Sequence, residues 1–476
     1  GSDVGKSVLV AGLCRLFPRR GLSVLPFKPQ NMSNNAAVTP DGGEIGRAQA
    51  LQAIACGVEP SVHMNPVLLK PQSDTGSQII VRGKAIGNTG DDYRDFRETL
   101  LSTVIESFDI LKQQADVVLV EGAGSPAEIN LRQGDIANMG FATETNTPVV
   151  LIGDIDRGGV IASIVGTHSL LPELDRNMIR GFLINKFRGD LRLFDDGVTE
   201  IESRTDWRSF GVLPYVPAVR NLPAEDAVVL DQQASSEDNP ILIAVPRLSR
   251  IANFDDIDPL QAEPDVTVQF IQPGEPLPGN AHIVLIPGSK STTGDMKFFR
   301  EQGWDIDLIA HHRRGGMVLG ICGGYQILGN HINDPDGIDG PPANIKGLGL
   351  LDISTTMEAT KTVRQSTAYC PTLECQAGGY EIHAGQTTGP DVDARPFLQI
   401  DGRTIGATSI DGSVMGGYMH GLFEDDTFRA RFLAPFRSGE YREIGYGHRV
   451  DEALNSLADA MEKHLDVEAL WDSMSH

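Results

Sequence analysis

Short runs of β-forming apolar residues alternate with longer segments of helical character along most of the chain. The runs cover residues 23–27, 116–120, 148–153, 179–184, 241–245 and 283–286. Strands that alternate with helices are typical of parallel sheets covered by helices. Because the carboxyl ends of parallel strands meet at one edge of a sheet, the polar residues that follow these runs are candidate ligand-binding residues. The pattern predicts an α/β fold.

The same pattern divides the chain into two units. The polar segment 231–240 ends in proline and interrupts the alternation, which predicts a linker. We therefore expect a doubly wound α/β domain over 1–230, a second α/β domain over 241–440 and a helical segment over 441–476. A chain of 476 residues is too long for one ordinary hydrophobic core, which agrees with this division.

Composition narrows the classes of partner. The chain has 40 basic and 64 acidic residues, and its net charge of −24 argues against nonspecific binding to nucleic acid or to an anionic membrane. Five cysteines with irregular spacing do not predict a disulfide framework, so we expect a reducing, cytoplasmic compartment. Cys370 and Cys375 lack a second ligand pair at zinc-site spacing. No apolar run approaches the roughly 18 residues of a membrane span. Small molecules are the expected partners.

The start of the chain, Gly-Ser-Asp-Val-Gly-Lys-Ser, resembles the end of a phosphate-binding loop that runs into its helix. In such a loop Gly5 and its neighbours offer backbone N–H groups to phosphates, Lys6 reaches the β- and γ-phosphates, and Ser7 binds Mg²⁺. The preceding strand and first glycine of the motif are not in the sequence, so a plain helix start is the alternative. Lys28 follows the strand 23–27 and is a second candidate phosphate ligand, with a solvated surface lysine as its alternative.

Further ligand-type residues follow the later strands. The buried-strand pattern 116–120 ends in Glu121, as in a Walker B segment, which predicts a magnesium ligand beside Ser7. Asp154 follows the run 148–153 in the same way. Asn185 and the lysine after it resemble a purine-reading loop, but the next acid, Asp190, is too distant for the guanine-specific motif. We therefore favour ATP over GTP.

Cys322 stands between a β-forming run and a short amphipathic segment, with glycine on each side. This order predicts a strand, a sharp turn and a helix, the shape of a nucleophile elbow. The N-terminus of the helix, including Gly323, favours a thiolate and an oxyanion. Since free cysteines are usually buried and inert, a core thiol is the alternative. In the same unit, Gly288 and Ser289 follow a strand and are candidates to offer backbone N–H groups to an oxyanion, and His420 is the candidate base.

Long ordered blocks of the sequence are similar to the cobyric acid synthase family, the glutamine-dependent amidases of cobalamin biosynthesis. The blocks are residues 27–35, 63–71, 120–128, 153–159, 320–326 and 380–383. The resemblance implies a P-loop domain similar to dethiobiotin synthetase, followed by a class I glutamine amidotransferase domain. It also implies that Cys322 and His420 hydrolyse glutamine to supply ammonia.

The resemblance further implies a substrate and a reaction course. ATP with Mg²⁺ would phosphorylate the b, d, e and g carboxylates of adenosylcobyrinic acid a,c-diamide, and ammonia would displace phosphate from each acyl phosphate. Asp135 and Asp154 are candidates for handling the substrate or the intermediate. Many class I amidotransferases place Glu two residues after the catalytic histidine, where this chain has Leu422. Glu424, Asp425 or no residue would then orient His420.

Two other functions remain as alternatives. The sister enzyme, cobyrinic acid a,c-diamide synthase, shares both domain types. A P-loop ATP switch of the partition-protein kind, joined to a binding module, would show nucleotide-dependent dimerisation and no glutaminase activity. The sequence leaves open the order of the amidations, the ammonia path and the oligomeric state, for which a homo-oligomer is one option.

Overall fold

A computed structural model describes residues 3–72, 76–88, 93–223, 241–437 and 445–474. The predicted linker 231–240 and the first two residues of the phosphate-loop motif lie outside these described residues. Both halves of the chain are α/β, as the strand pattern predicts. In the described residues no helix is long and apolar enough to cross a membrane.

The N-terminal half alternates short strands with helices. Its strands are β1 (Val24–Phe27), β2 (Gln30–Met32), β3 (Ala36–Val38), β4 (Glu44–Gly46), β5 (Val67–Pro71), β6 (Ser77–Val81), β7 (Lys84–Asn88), β8 (Val117–Val120), β9 (Val149–Asp154), β10 (Ile179–Phe187) and β11 (Arg208–Pro214). Its helices are α1 (Lys6–Arg19), α2 (Arg47–Cys56), α3 (Tyr93–Lys112), α4 (Met139–Thr145), α5 (Val160–Leu170), α6 (Glu173–Arg176) and α7 (Asp195–Thr205).

The C-terminal half repeats the alternation and adds a long hairpin. Its strands are β12 (Ile241–Pro246), β13 (Ile251–Ala252), β14 (Val266–Ile271), β15 (Ile283–Ile286), β16 (Gly288–Ser289), β17 (Met317–Ile321), β18 (His331–Asp334), β19 (Ala343–Lys346), β20 (Ser354–Cys370), β21 (Cys375–Thr388), β22 (Gln399–Ile400), β23 (Arg403–Thr404), β24 (Gly406–Thr408), β25 (Val414–Gly417) and β26 (Met419–His420). Its helices are α8 (Asp258–Gln261), α9 (Thr292–Glu301), α10 (Trp304–Arg313), α11 (Gly323–Leu328), α12 (Pro390–Ala394), α13 (Asp426–Leu433), α14 (Tyr446–His464) and α15 (Val467–Met474).

Parallel pairing organises the N-terminal half. Strand β1 pairs with β8, and β9, β10 and β11 form a second parallel group. A cleft lies between β8 and β9, with Val4 and Lys6 from the start of the chain on its wall. Glu121, after β8, contacts Ser7 and Lys28, and Asn185 of β10 contacts Val4, so these strand ends lie beside the phosphate-loop residues, as expected for ligand binding at the carboxyl edge of parallel strands.

Helix α2 begins later than the composition of its segment suggests. The alanine-rich segment 44–57 has helical character, but Glu44–Gly46 form strand β4, which pairs with β3. Residue Glu44 belongs to a strand instead of a helix because its buried carboxylate lies between Lys70 and Lys361. Tertiary contacts of this kind override local propensity.

In the C-terminal half a mixed sheet carries the Cys322 elbow. The strand order is β14-β12-β15-β17-β25-β24, and the first five strands run parallel. The long hairpin of β20 and β21 packs beside this sheet and pairs with β26. Because β17 and β25 are parallel neighbours, the residues after each strand meet at the same edge. Cys322 and His420 are therefore brought together by strand order.

The last two helices return to the N-terminal half. Helix α14 packs against α1, and surface ion pairs join Arg15 to Asp451 and Arg19 to Asp459. Apolar side chains of α1, α14 and α15 share one core with β1, β8 and β11. A smaller cluster joins the halves directly, with Ala36, Val38, Leu68 and Ile80 packed against Tyr380 and Ile382.

A buried ion-pair network supports the C-terminal half. Arg429 contacts Glu263 and Asp426 at 2.5 and 2.6 Å, and the Arg429 and Glu263 side chains are both buried.

We expect Arg429→Met to lower the free energy of unfolding by about 3 kcal/mol, because Glu263 stays buried with one cationic partner fewer. Denaturant unfolding measures this change. Arg204→Met, which removes an exposed pair with Glu200, is the control, with an expected loss below about 0.5 kcal/mol. Equal losses would contradict the prediction.

Candidate active sites

Cys322 occupies the predicted elbow between β17 and α11. Its backbone has φ 52° and ψ −108°, a region that side chains other than glycine rarely adopt. A Cβ at Gly324 would lie 2.1 Å from the carbonyl oxygen of Ile286, so only glycine fits the close contact between elbow and sheet. The thiol is largely buried and lies 3.4 Å from the carbonyl oxygen of Ile382. This geometry agrees with a nucleophile held in a strained turn.

His420 is oriented by Asp256, which the sequence does not single out. The distance from His420 Nδ1 to Asp256 Oδ2 is 2.7 Å, and Asp256 Oδ1 accepts the N–H of Gly421 at 2.7 Å. The expectation that Glu424 or Asp425 orients His420 is wrong. Glu424 instead pairs with Arg47, and the Asp425 carboxylate accepts a backbone N–H at the start of α13.

The protonation of His420 depends on this carboxylate. Burial alone lowers the pKa of His420, but the charge and hydrogen bond of Asp256, with a further contribution from Cys322, raise it to about 10. The ring is therefore protonated at neutral pH. A protonated imidazole beside a cysteine stabilises the attacking thiolate and can later protonate a leaving amine. Because Asp256 occupies Nδ1, Nε2 is the ring nitrogen that is left for proton transfer.

The candidate oxyanion residues gather beside the elbow. Strand β16, Gly288–Ser289, pairs with β13 and passes next to Gly323, where a Cβ would lie 2.9 Å from the Ser289 backbone nitrogen. A Cβ at Gly288 would lie 3.3 Å from His420 Cε1. The Ser289 hydroxyl donates to the buried Asp295 and accepts the N–H of Ser291. The backbone of Gly288 and Ser289 faces the elbow, whereas the Ser289 side chain stabilises the loop that follows it by hydrogen bonds to Asp295 and Ser291.

Residues from the N-terminal half lie next to this site. Glu44 binds Lys70 at 2.6 Å and also pairs with Lys361 of the long hairpin. Burial raises the pKa of Glu44, but the two lysines outweigh it and lower the pKa to about 2. The Lys70 ammonium is near enough to Cys322 to interact with it electrostatically. Lys290, which follows Ser289, donates to Gln78 across the same boundary at 2.9 Å.

A second cluster forms at the start of α1. Ser7 Oγ donates to Glu121 Oε1 at 2.7 Å, and Lys28 Nζ lies 2.9 Å from the same oxygen. Lys6 contacts the carbonyl oxygen of Gly124, and Gly5 precedes the helix with φ 88°. Gln52, which the sequence does not single out, donates to Glu121 Oε2 at 2.7 Å and to the carbonyl oxygen of Ser7 at 3.2 Å. The residues predicted to hold ATP phosphates and magnesium therefore lie together.

Three other predicted residues support loops around this cluster. Asn185 Nδ2 donates to the carbonyl oxygen of Val4 at 2.9 Å, which places it under the phosphate loop. Asp154 pairs with Lys186 at 2.8 Å. The Asp135 carboxylate accepts the backbone N–H groups of Ala137, Asn138 and Gly140 at 2.9 Å. Roles for Asn185 in ATP binding and for Asp135 and Asp154 in substrate handling stay predictions.

Two family models match the chain. Residues 242–428 match the CobB/CobQ-like glutamine amidotransferase domain, and residues 1–229 match the CobQ/CobB/MinD/ParA nucleotide binding domain. Together these matches cover the two candidate sites, one in each half.

Relatives are similar over nearly the whole chain. A cobyric acid synthase of Brucella anthropi is 59% identical over 473 residues, covering 99% of this chain and 98% of that protein. A cobyric acid synthase of Allorhizobium ampelinum is 59% identical over 467 residues, covering 98% of this chain and 96% of that protein.

Solved structures show a more distant likeness. PurLQS from Thermotoga maritima is 16% identical with a TM-score of 0.31, covering 45% of this chain and 98% of that chain. A glutamine amidotransferase is 15% identical with a TM-score of 0.31, covering 41% of this chain and 97% of that chain.

The Asp256 contact predicts a change in pH dependence. Asp256→Asn removes the charge that raises the pKa of His420 while burial remains, so this pKa should fall below about 10. We expect kcat/KM for glutamine hydrolysis to fall roughly 100-fold at neutral pH, the size typical of lost acid–base catalysis. The alkaline limb of the pH profile should move to lower pH. Glutaminase assays across the neutral and alkaline range measure both effects.

Asp425→Asn is the matched control, because Asp425 makes a cap at α13 instead of a bond to His420. Its pH profile should match that of the unmodified protein. A shifted profile for Asp425→Asn and an unchanged one for Asp256→Asn would reverse the assignment.

Proposed function

This chain belongs to the cobyric acid synthase family, and we propose that it amidates the b, d, e and g carboxylates of adenosylcobyrinic acid a,c-diamide. As a family member it is a glutamine-hydrolysing carbon–nitrogen ligase. The observation that most supports the detailed reaction is the presence of two separate clusters in one chain. One is suited to releasing ammonia and the other to activating a carboxylate.

Glutamine hydrolysis would use Cys322, His420 and Asp256. The Cys322 thiolate attacks the side-chain amide carbon, and the backbone around Gly288, Ser289 and Gly323 stabilises the oxyanion. His420 gives its proton to the amide nitrogen as the carbon–nitrogen bond breaks, and ammonia leaves. Water then attacks the glutamyl thioester, His420 accepts a proton, and glutamate leaves while the thiolate is restored.

Carboxylate activation would use the cluster at the start of α1. A corrin carboxylate oxygen attacks the γ-phosphorus of ATP, and ADP leaves. Ammonia then attacks the acyl carbon of the resulting acyl phosphate, and phosphate leaves as the amide forms. Lys6 and Lys28 would position phosphate groups by their charge. Without phosphate as a leaving group a carboxylate is inert to ammonia, so the two sites must cooperate.

The residues present fit a magnesium ion. Glu121 and Ser7 provide a carboxylate and a hydroxyl whose oxygens lie 2.7 Å apart, and hard oxygen donors from one or two side chains with substrate phosphates are the usual magnesium environment. Magnesium bound there would neutralise charge on the transferred phosphoryl group. The bonds that Gln52 and Lys28 make to Glu121 fix its carboxylate at this position.

Ammonia has to move between the sites without becoming ammonium. The boundary beside Cys322 carries Lys70, Lys361 and Lys290, and burial together with the other two lysines lowers the pKa of Lys290 to about 7. Cationic walls repel ammonium more than neutral ammonia. This supports a passage for ammonia along the boundary between the halves.

A Cys322→Ser protein separates the two sites. With Mg²⁺, ATP and adenosylcobyrinic acid a,c-diamide, we expect ammonium salts to support amidation and glutamine to support none, because only ammonia release needs the thiol. Mass spectrometry of the corrin measures the product. Loss of amidation with both nitrogen sources would contradict the two-site mechanism.

The unmodified enzyme tests the substrate. With glutamine, Mg²⁺ and ATP, the a,c-diamide should show successive conversions of the b, d, e and g carboxylates to amides in the mass spectrum. Cobyrinic acid with free a and c carboxylates is the control substrate. Amidation of this control with no change in the a,c-diamide would instead favour the sister enzyme.

A further inference from the structure

The loop that carries Asp256 is held by the other half of the chain. The N–H of Phe254 donates to Asn35 Oδ1 at 3.2 Å, and the N–H of Ala36 donates to Asn253 Oδ1 at 3.1 Å. These reciprocal bonds join the loop before Asp256 to the β3–β4 region. Asn253 has φ 51°, a left-handed conformation that asparagine tolerates, and it turns the chain into the short helix that contains Asp255 and Asp256. The placement of Asp256 against His420 therefore depends on the N-terminal half.

Arg47, the first residue of α2, adds an ion pair to the same loop. Its Nε lies 3.0 Å from Asp255 Oδ2, and its side chain also binds Glu424. The side chains of Arg47 and Asp255 are only 11% and 2% exposed. Asp255 and Asp256 are adjacent buried carboxylates, and Arg47 and His420 are their cationic partners.

The acidic and cationic groups around this loop have opposing effects on the pKa of Asp255. Burial, together with the neighbouring charges of Asp256 and Glu424, raises the pKa of Asp255, whereas Arg47 and His420 lower it, and the net pKa is about 6. The Tyr380 ring stacks on the His420 ring, with 5.3 Å between the ring centroids, so Tyr380 also lies beside this loop. Without Arg47, two neighbouring acids would remain beside one imidazole. The loop would then have to shift or take up a proton, and either change alters the hold of Asp256 on His420.

The same helix reaches the nucleotide site. Gln52 lies five residues after Arg47, about 7.5 Å along the helix axis at 1.5 Å per residue. Its side-chain amide donates to both Glu121 and the backbone of Ser7. If Glu121 and Ser7 bind magnesium and ATP, as the proposed function states, Gln52 is bonded directly to two residues of that site. Helix α2 therefore contacts the loop of Asp255 and Asp256 through Arg47, and the nucleotide site through Gln52.

We propose that Arg47 is a positioning residue for the glutaminase base, and that helix α2 links its position to occupancy of the nucleotide site through Gln52. The link would match ammonia release to the presence of ATP. The coupling part of this inference rests on the proposed function, whereas the role of Arg47 in glutamine hydrolysis does not. Coupling requires that ATP favour one arrangement of the helix over another, which the following measurements test.

Arg47→Met tests the positioning role. We expect kcat for glutamine hydrolysis to fall about tenfold or more, with KM for glutamine little changed, because a displaced base slows chemistry more than binding. The pH profile of Cys322 alkylation by iodoacetamide should shift. Arg47→Lys, which keeps the charge, should restore part of kcat. Amidation driven by ammonium should persist, since that reaction does not use His420.

Arg20→Met is the matched control. Arg20 makes surface ion pairs with Glu462 and Glu468, and these pairs lie at α14 and α15 instead of at the loop beside His420. It should keep the unmodified kcat and alkylation profile. An unchanged kcat and profile in Arg47→Met would overturn the positioning role. Equal loss of glutamine-driven and ammonium-driven amidation in both Arg47 variants would also overturn it, because Arg47 would then support the whole fold.

The link is tested by the alkylation rate of Cys322 with and without Mg²⁺ and a non-hydrolysable ATP analogue. We expect the analogue to change this rate about fivefold or more in the unmodified protein, within the usual range of coupling between sites. In Arg47→Met and Gln52→Met the change should be lost at analogue concentrations that calorimetry shows to be saturating. An equal response in all three proteins, or no response in any, would overturn the link.

Failure of the proposed function has a different signature. If the start of α1 does not bind nucleotide, calorimetry detects no analogue binding in the unmodified protein, and both the synthetase assignment and the link are overturned. The Arg47→Met effect on glutamine hydrolysis would remain. The two results are therefore distinguishable.

Discussion

The hydrogen bond between His420 and Asp256 is the interaction on which the C-terminal site depends. A buried imidazole prefers to be neutral, and only a nearby carboxylate makes its protonated form stable. Asp256 is itself buried and is held by the N–H of Gly421 as well as by the ring. Each partner is tolerable in the interior because of the other. The loop that places Asp256 therefore sets the chemistry of His420, although it is distant in sequence.

The elbow depends on a second constraint, the pairing of parallel strands. Residue Ile321 of β17 is opposite Gly417 of β25, and the N–H of Cys322 donates to the carbonyl oxygen of Gly417 at 2.8 Å. This register places the turn of one strand beside the end of the next. The positive φ of Cys322 costs roughly 1–3 kcal/mol, a strain that persists only where the surroundings leave no alternative. Here the surrounding glycines and the sheet fix the turn.

The sequence predicts the parts of these sites that depend on local contacts, and it does not predict the parts that depend on contacts between distant segments. The elbow, the end of β8 at Glu121 and the helix after Lys6 all depend on short patterns, so they can be recognised within a few residues. Asp256 and Gln52 depend on how separate elements pack, and no spacing rule connects Asp256 to His420 across 164 positions. Two adjacent acids in an apolar segment were the available signal. The composition of the segment 44–57 does not indicate strand β4 for the same reason, because Glu44 pairs with lysines distant in sequence.

The boundary between the halves joins the two candidate sites. Glu44 pairs with a lysine from each half, so one buried ion-pair network crosses the boundary. Beside it, Ile80 and Tyr380 belong to an apolar cluster that also crosses the boundary. Helix α2 contributes Arg47 to the loop that carries Asp256 and Gln52 to the cluster around Glu121, and packed interfaces of this kind change between discrete arrangements instead of deforming gradually.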